Sequence, residues 1–310
     1  MSKLTKLLQY KTASNSKKQK LLSSYGFTKT FNENEKKLIS SGADDYDQLL
    51  TREVKQAIGK GAEDRAHIRK YLPIFEISDY KWEVPADPNP GDCAPQLGEG
   101  MEYPTMNQEF TEGSGTIKKF GLKAAITNEL LEDKKFSLIE YELNRLGGRL
   151  ENSLNREGIL QMLKQHSGTP SDVDPSSSAL TREDIGSAMG KVAVRDWYPN
   201  TVFMNCKASG DLVNIVTDLN IDRNNVFGLD AEIICSEYDD GTYYWDDTDN
   251  SNHYFAIIFD SGHYASIGMR QDIETEEFDD PIRDLVNLKA SMRFSVEVMN
   301  SDAACRILTV

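Results

Sequence analysis

The sequence predicts an α+β fold organised by one long helix and one long β-hairpin, with a smaller α/β unit between them along the chain. Three observations carry this. Leu143, Leu146, Leu150 and Leu154 recur at spacings of three and four, the apolar stripe of a helix. Val286, Leu288, Ala290, Met292, Phe294, Val296 and Val298 alternate with Asn287, Lys289, Ser291, Arg293, Ser295 and Glu297, the period of a strand with one buried face. Between these two runs, helical faces and short apolar segments follow one another over residues 181–265. A helix from Ser137 to Lys164 is about 42 Å long, and the alternating strand spans about 43 Å. The economical arrangement lays the helix across the apolar face of the hairpin.

From the N-terminus, Leu4, Leu7 and Leu8 form a brief helical face, and the Ser/Lys-rich stretch 12–24 reads as a linker. Leu49, Leu50, Val54 and Ile58 form a second helical stripe that Gly59 and Gly61 are expected to close. Ile68 and Leu72 continue a third face. No sizeable core is available here, so these helices should lean on another surface. Pro73, Pro85, Pro88, Pro90 and Pro95 then forbid a continuous helix and remove ladder donors, which marks an extended arm or linker. Residues 99–126 read as a two-stranded projection. Met101 and Tyr103 begin one limb, Gly113, Ser114 and Gly115 form the turn, and residues 117–126 return. An isolated ribbon of this kind is marginal in water and needs a partner surface.

Asn128 is positioned to cap the short helical piece NELLED. Ser137 and Glu140 have capping-box spacing at the start of the long helix, with Phe136 and Tyr141 at the positions of a hydrophobic staple. After a Ser/Pro/Asp linker over 166–180, Thr181 and Asp184 give another cap signal, followed by a helical face of Ile185, Met189 and Val192. A buried-type strand over Thr201–Met204, a helix marked by Leu212, Ile215 and Val216, a turn at Phe227 and Gly228, and strands over 231–235 and 254–259 complete the α/β unit. Asp240 and Gly241 are a hairpin signal within an acidic, aromatic segment. Ile267, Met269 and Ile273 form a weaker alternating run, joined to the long strand by a turn containing Pro281.

Composition narrows the function. The chain of 310 residues is 39% apolar, adequate for a core, and has no apolar run near the length of a membrane span. No secretory signal is read at the N-terminus. Cys93, Cys206, Cys235 and Cys305 are far apart and show neither metal-ligand spacing nor a disulfide framework, so free thiols in a cytosolically made protein are expected. The net charge of −15 is unevenly placed. Residues 1–70 carry 15 Lys and Arg against 8 Asp and Glu, hence +7, and the remainder carries −22. Lys3, Lys6, Lys11, Lys17, Lys18 and Lys20 fall in the first twenty residues without a single acid. Such an arm can meet nucleic acid or an acidic neighbouring subunit, or stay solvated.

Catalytic and metal signals are weak. Asp260-Ser261-Gly262 after a strand imitates an aspartic-protease motif, in which a homodimer pairs two carboxylates. Ile267-Gly268 follows too soon to supply the distant apolar–Gly element, so an ordinary strand-end turn is the better reading. Asp246, Asp247 and Asp249 lack the glycine and closing glutamate of a calcium loop. No Walker loop, dinucleotide fingerprint or hydrolase elbow occurs, and no cofactor or metal is expected.

The order of parts resembles the major capsid proteins of tailed bacteriophages and archaeal tailed viruses, the Hong Kong ninety-seven fold, which encapsulins and the herpesvirus capsid floor share. The resemblance covers residues 73–310. It rests on the extended loop, the NELLED turn before the spine helix, the hairpin over 267–298, the segment TREDIGSAMGKVAVRDWYPNTVFMNCKASGDLVNI with VFGLDAEII after it, and NSDAACRIL as a last strand. It implies an N-terminal extension and arm (1–97), an extended loop (98–124), a peripheral domain (125–180 and 266–300) and an axial domain (181–265 and 301–310). It also implies hexamers and pentamers tiling an icosahedral shell around double-stranded DNA in a virion, made in the host cytoplasm. Portal and scaffold or decoration proteins are implied partners, and no membrane is. Subunit contacts are expected at Lys118, Lys119 and Phe120 in the loop and at Asp279, Asp280 and Arg283 at the hairpin tip. The tip lacks a clear asparagine, Asn287 being only nearby, so no lysine–asparagine cross-link is expected. Residues 1–72 depart from the plain pattern and are expected to persist as an arm reaching a neighbour. The alternatives are an encapsulin-type shell and, remotely, the protease-like enzyme.

Overall fold

The computed structural model describes residues 3–11, 43–86, 109–127, 136–164, 172–174, 179–219, 225–234, 245–247, 252–280 and 285–308, with single positions at 13, 18, 20, 21, 32, 35 and 222. The chain divides into two compact units. One comprises Met1–Ala66, Lys119–Ser153 and Gln271–Met292; the other comprises His67–Lys118, Leu154–Arg270 and Arg293–Val310.

In the first unit, helix α1 (Lys3–Lys11) and helix α2 (Ala43–Glu63) accompany the first half of the long helix α3 (Phe136–Lys164). Leu7, Leu8, Val54, Ile58, Ile139, Leu143, Leu146 and Leu150 are buried, as their periodicity requires. Gly61 does not stop α2, which continues to Glu63. It sits where α2 meets α3: a Cβ added to it would lie 1.9 Å from the carbonyl oxygen of Asn144, and one added to Gly147 would lie 1.9 Å from that of Ile58. The two backbones touch, which only glycine permits. The long helix begins at Phe136, so Ser137 lies inside the first turn rather than ahead of it, and Tyr141 is 61% exposed and forms no buried staple. Glu140 instead accepts a hydrogen bond from the Thr5 hydroxyl at 3.2 Å. The expected cap at Asn128 lies outside the described residues.

The long hairpin is present as β10 (Ala265–Asp280) and β11 (Leu285–Val298), with strand β4 (Lys118–Thr127) added along β11. Leu288, Ala290, Met292, Phe294 and Val296 are buried, but so are Asn287, Ser291 and Ser295 on the polar face. The alternation gives the strand and its register; it does not expose the polar side.

In the second unit, strand β1 (Ile74–Glu76) pairs parallel with β10, Ile74 opposite Ile267. Strand β2 (Lys81–Ala86) pairs antiparallel with β3 (Glu109–Thr116). This corrects the turn expected at Gly113–Gly115: β3 passes through these residues, with a register shift opposite Trp82–Val84. Residues 87–108, between the two strands, lie outside the described residues. Gly115 serves close approach instead: a Cβ there would lie 2.2 Å from the Trp82 indole nitrogen. Trp82, Val84 and Ile117 form a small buried cluster at this base, with Ile77 and Met299 against it. Part of the Pro-rich stretch is therefore ordered as strand.

The rest of this unit is a mixed sheet in the order β12–β9–β5–β7–β6, with β8 paired to β9. Its strands are β5 (Thr201–Met204), β6 (Asn225–Val226), β7 (Leu229–Ile233), β8 (Asp246–Asp247), β9 (Asn252–Phe259) and β12 (Ala304–Leu308). Helix α4 (Arg182–Ala193) precedes β5, and helix α5 (Cys206–Leu219) follows it. β5 and β7 run parallel, which a crossover such as α5 makes possible. Tyr254, Phe203 and Phe259 are fully buried, the latter two edge-to-face at 4.8 Å. The turn at Phe227 and Gly228 is as expected, both residues having positive φ, and β7 starts two residues earlier than the sequence indicates. Asp240 and Gly241 lie outside the described residues. Cys206 is disulfide-bonded, which corrects the expectation of a free thiol there, whereas Cys305 is buried and outside any disulfide.

Candidate functional site

Several polar groups that the folded chain brings together in the second unit join its segments. Arg306 on β12 is 5% exposed. Its guanidinium donates to both carboxylate oxygens of Asp172 at 2.8 and 2.7 Å and to the Leu163 carbonyl, near the end of α3, at 2.6 Å. It also lies 4.7 Å from the centre of the Tyr254 ring. Beside it, Val173 bridges to Ile307. The stretch 166–180 is thus fastened at 172–173 rather than being linker throughout. The Tyr264 hydroxyl donates to Met162 O at 2.6 Å, and its burial raises its pKa far above the phenol range.

His67 and Tyr71, which follow α2, meet Glu232 on β7. His67 Nδ1 bonds one carboxylate oxygen, and the Tyr71 hydroxyl donates to the other at 3.1 Å. The hydrogen bond from His67, with that from Tyr71 and the charge of Lys70, holds the Glu232 carboxyl below its ordinary pKa. Burial and the adjoining carboxylate push the Tyr71 phenol up to about 12. Spacing along the chain shows none of these partnerships; only Gly147-Gly148, inside an otherwise helical stripe, hints at a special contact.

Asp260, the protease-like aspartate, is a turn residue. Its carboxylate accepts from Gly262 N at 3.1 Å and Tyr198 N at 3.4 Å and lies 3.2 Å from His263 Nδ1. Among the described residues, no three His, Cys, Asp or Glu side chains gather in a way that could hold a metal ion, and no helix is long and apolar enough to cross a membrane.

The expected contact residues are dispersed. Lys118 pairs with Glu157 of α3, and Gln161 donates to the same carboxylate at 3.0 Å. Lys119 is exposed and Phe120 half-buried. Asp279 and Asp280 end β10, but their side chains and all of Arg283 lie outside the described residues. On the arm, Lys3 bonds Glu35 at 3.1 Å. Burial raises the pKa of Glu35, but Lys3, the Asn32 N–H and Arg52 outweigh it and hold the carboxyl below the usual range. Lys6 is half-buried, Lys18 stands over the Tyr10 ring at 5.4 Å, and Lys20 is exposed. Lys17 and the side chain of Lys11 lie outside the described residues.

In the second unit, Thr181 caps α4 in a complete capping box with Asp184, as the sequence predicts. Asp196 at φ 63° and buried Trp197 shape the loop between α4 and β5.

Neither a family model nor a curated protein matches the sequence. Solved structures do. The capsid of an empty GTA particle superposes with a TM-score of 0.59 at 13% identity, covering 79% of this chain and 90% of that one. A structure from Mycobacterium phage Bobi gives 0.57 at 16% identity over 78% and 89%. A virus-like particle from Pyrococcus furiosus gives 0.55 at 18% identity over 83% and 98%. This chain has the phage-capsid fold. The likeness extends over nearly the whole of each matched chain.

Proposed function

We propose that the chain is the major capsid protein of a tailed virus. It self-assembles as hexamers and pentamers into an icosahedral shell around double-stranded DNA, resides in the virion after synthesis in the host cytoplasm, and performs no catalysis. The observation that carries this reading is the coverage: about nine-tenths or more of a phage chain, a GTA capsid chain and a virus-like-particle chain aligns with this one. In this reading residues 98–124 are the extended loop, 125–180 with 266–300 the peripheral domain, and 181–265 with 301–310 the axial domain. Lys118, Lys119, Phe120, Asp279, Asp280 and Arg283 contact other subunits. The lysines of residues 1–20 face DNA or an acidic neighbour, and portal and scaffold or decoration proteins complete the particle.

An encapsulin-type cellular shell is the second reading. Electron microscopy of purified particles, with nucleic-acid content measured by absorbance, tests both. Closed shells filled with DNA are expected; closed shells holding a protein cargo would replace the first reading with the second. Deleting residues 2–20 is expected to impair assembly or DNA retention, and normal filled particles from that deletion would refute the role of the arm.

A further inference from the structure

The two edges of the sheet formed by β10, β11 and β4 carry opposite charge. Among the described residues, no strand lies outside β4, and none lies outside β10 beyond Met269, where its pairing with β1 ends. The run 271–280 of β10 holds Asp272, Glu274, Glu276, Glu277, Asp279 and Asp280 and no cation, Arg270 being the residue before it. Strand β4 holds Lys118, Lys119 and Lys123 and no acid. Strand alternation and two contacts place the exposed charges on one face. Glu276 accepts a hydrogen bond from Lys289 of β11 at 2.7 Å, and a Cβ added to Gly121 would lie 3.3 Å from that of Ser291. Asp272 and Glu274 therefore share this face with Glu276, and Lys119 and Lys123 share it with Gly121; all are exposed. The hydrogen bond and charge of Lys289, with a smaller part from the charge of Lys119, hold the Glu276 carboxyl below its usual pKa. Across the face, the columns run acidic on β10, basic on β11 through Lys289 and Arg293, and basic on β4. The strand beside β4 thus brings more cations toward its lysines, and a column of acids can be added only from outside the edge.

An open strand edge is a template for another strand. Like charges set directly opposite are unfavourable, so two β4 edges repel, as do two β10 edges, and only unlike edges match. We infer that β4 of one copy of this chain pairs with the β10 edge of a second copy over residues 271–280. Lys119 and Lys123 of the first copy then stand beside Asp272, Glu274 and Glu276 of the second, about 5 Å away between Cβ atoms. The two edges are different surfaces, so the contact is head-to-tail and closes into a ring or extends as a filament. It rests on the shell reading above and gives the loop lysines named there a partner strand.

The test uses the full chain in two charge-reversed forms. One carries Lys119→Glu and Lys123→Glu, the other Asp272→Lys and Glu274→Lys; both leave the Glu276–Lys289 pair intact. Each alone is expected to lose about tenfold or more of the wild-type yield of assembled particles, measured by sedimentation, with an unchanged melting temperature because the positions are exposed. An equimolar mixture is expected to recover most of that yield, since alternating copies set acid beside base at each joint. Separately, Lys119→Cys and Glu274→Cys copies treated with a short thiol-to-thiol cross-linker should give dimers above the wild-type background only when mixed; should either reversed form fail to fold, this result alone decides. Wild-type shells together with reversed forms that assemble at the wild-type yield, or with no mixture-specific dimer, would overturn the pairing and leave the shell reading standing. Mixture-specific dimers from a chain that never closes a shell would support the pairing and refute the shell.

Discussion

Within each unit, taken by itself, a different kind of joint stands out. In the first, α2 and α3 meet through bare backbone at Gly61 and Gly147 beside the buried leucines of α3, with polar bonds such as Thr5–Glu140 and Lys3–Glu35 lying along α1. In the second, the segments are joined by buried or half-buried polar groups: Arg306 with Asp172 and Leu163 O, Tyr264 with Met162 O, and Glu232 with His67 and Tyr71. The first kind of joint is sensitive to volume and indifferent to charge. The second tolerates little loss of a partner, because a buried group left unpaired is costly. One fold thus has a steric joint in one unit and electrostatic joints in the other.

The largest effect is expected where charge is most buried. Arg306→Met leaves Asp172 and the Leu163 carbonyl without their donor and should destabilise by about 3–5 kcal/mol, read by chemical denaturation. Since Asp172 retains some exposure, the lower end of that range is expected, and an effect below about 1 kcal/mol would contradict a clasp. Gly147→Ala should destabilise by about 1–3 kcal/mol because the added methyl meets the Ile58 carbonyl. Gly186→Ala, in an exposed helical position with nothing within 4 Å, should instead stabilise by up to about 1 kcal/mol. The opposite signs are the point: two changes of the same sign would dissolve the distinction between the crossing and an ordinary helix. Thr181→Ala should cost about 1 kcal/mol through the lost cap of α4.

The smallest effect concerns pH. The folded pKa of Glu232 is below its ordinary value, chiefly through the His67 hydrogen bond. Its contribution to stability is therefore complete above the ordinary carboxylate value of about 4.3 and is lost as pH falls through the lower, folded value. Wild type and Glu232→Gln should differ most at neutral pH and converge in acid; a gap that widens as pH falls would reverse the assignment.

What the sequence discloses follows the range of the interaction. The Thr181–Asp184 box is local and was legible from spacing of three. So were the leucine stripe of α3 and the apolar face of β11, each set by one period. Glycine misled twice for one reason. At Gly61 and at Gly113–Gly115 the residue was read as a break in regular structure. At Gly61 and Gly115 it serves close approach within a helix and a strand, and a distant chain segment decides this. The Arg306–Asp172 pair, 134 positions apart, has no sequence signature. The order of elements along the chain, by contrast, was enough to bring the capsid fold to view.

The most direct test of the central claim is the mass distribution of the purified full-length chain under assembly conditions, measured by sedimentation velocity. The account predicts a sharp boundary from closed shells, each a large and fixed multiple of the 34.9 kDa chain. A boundary that stays at monomer or dimer under every condition, including with the products of neighbouring genes present, would contradict it.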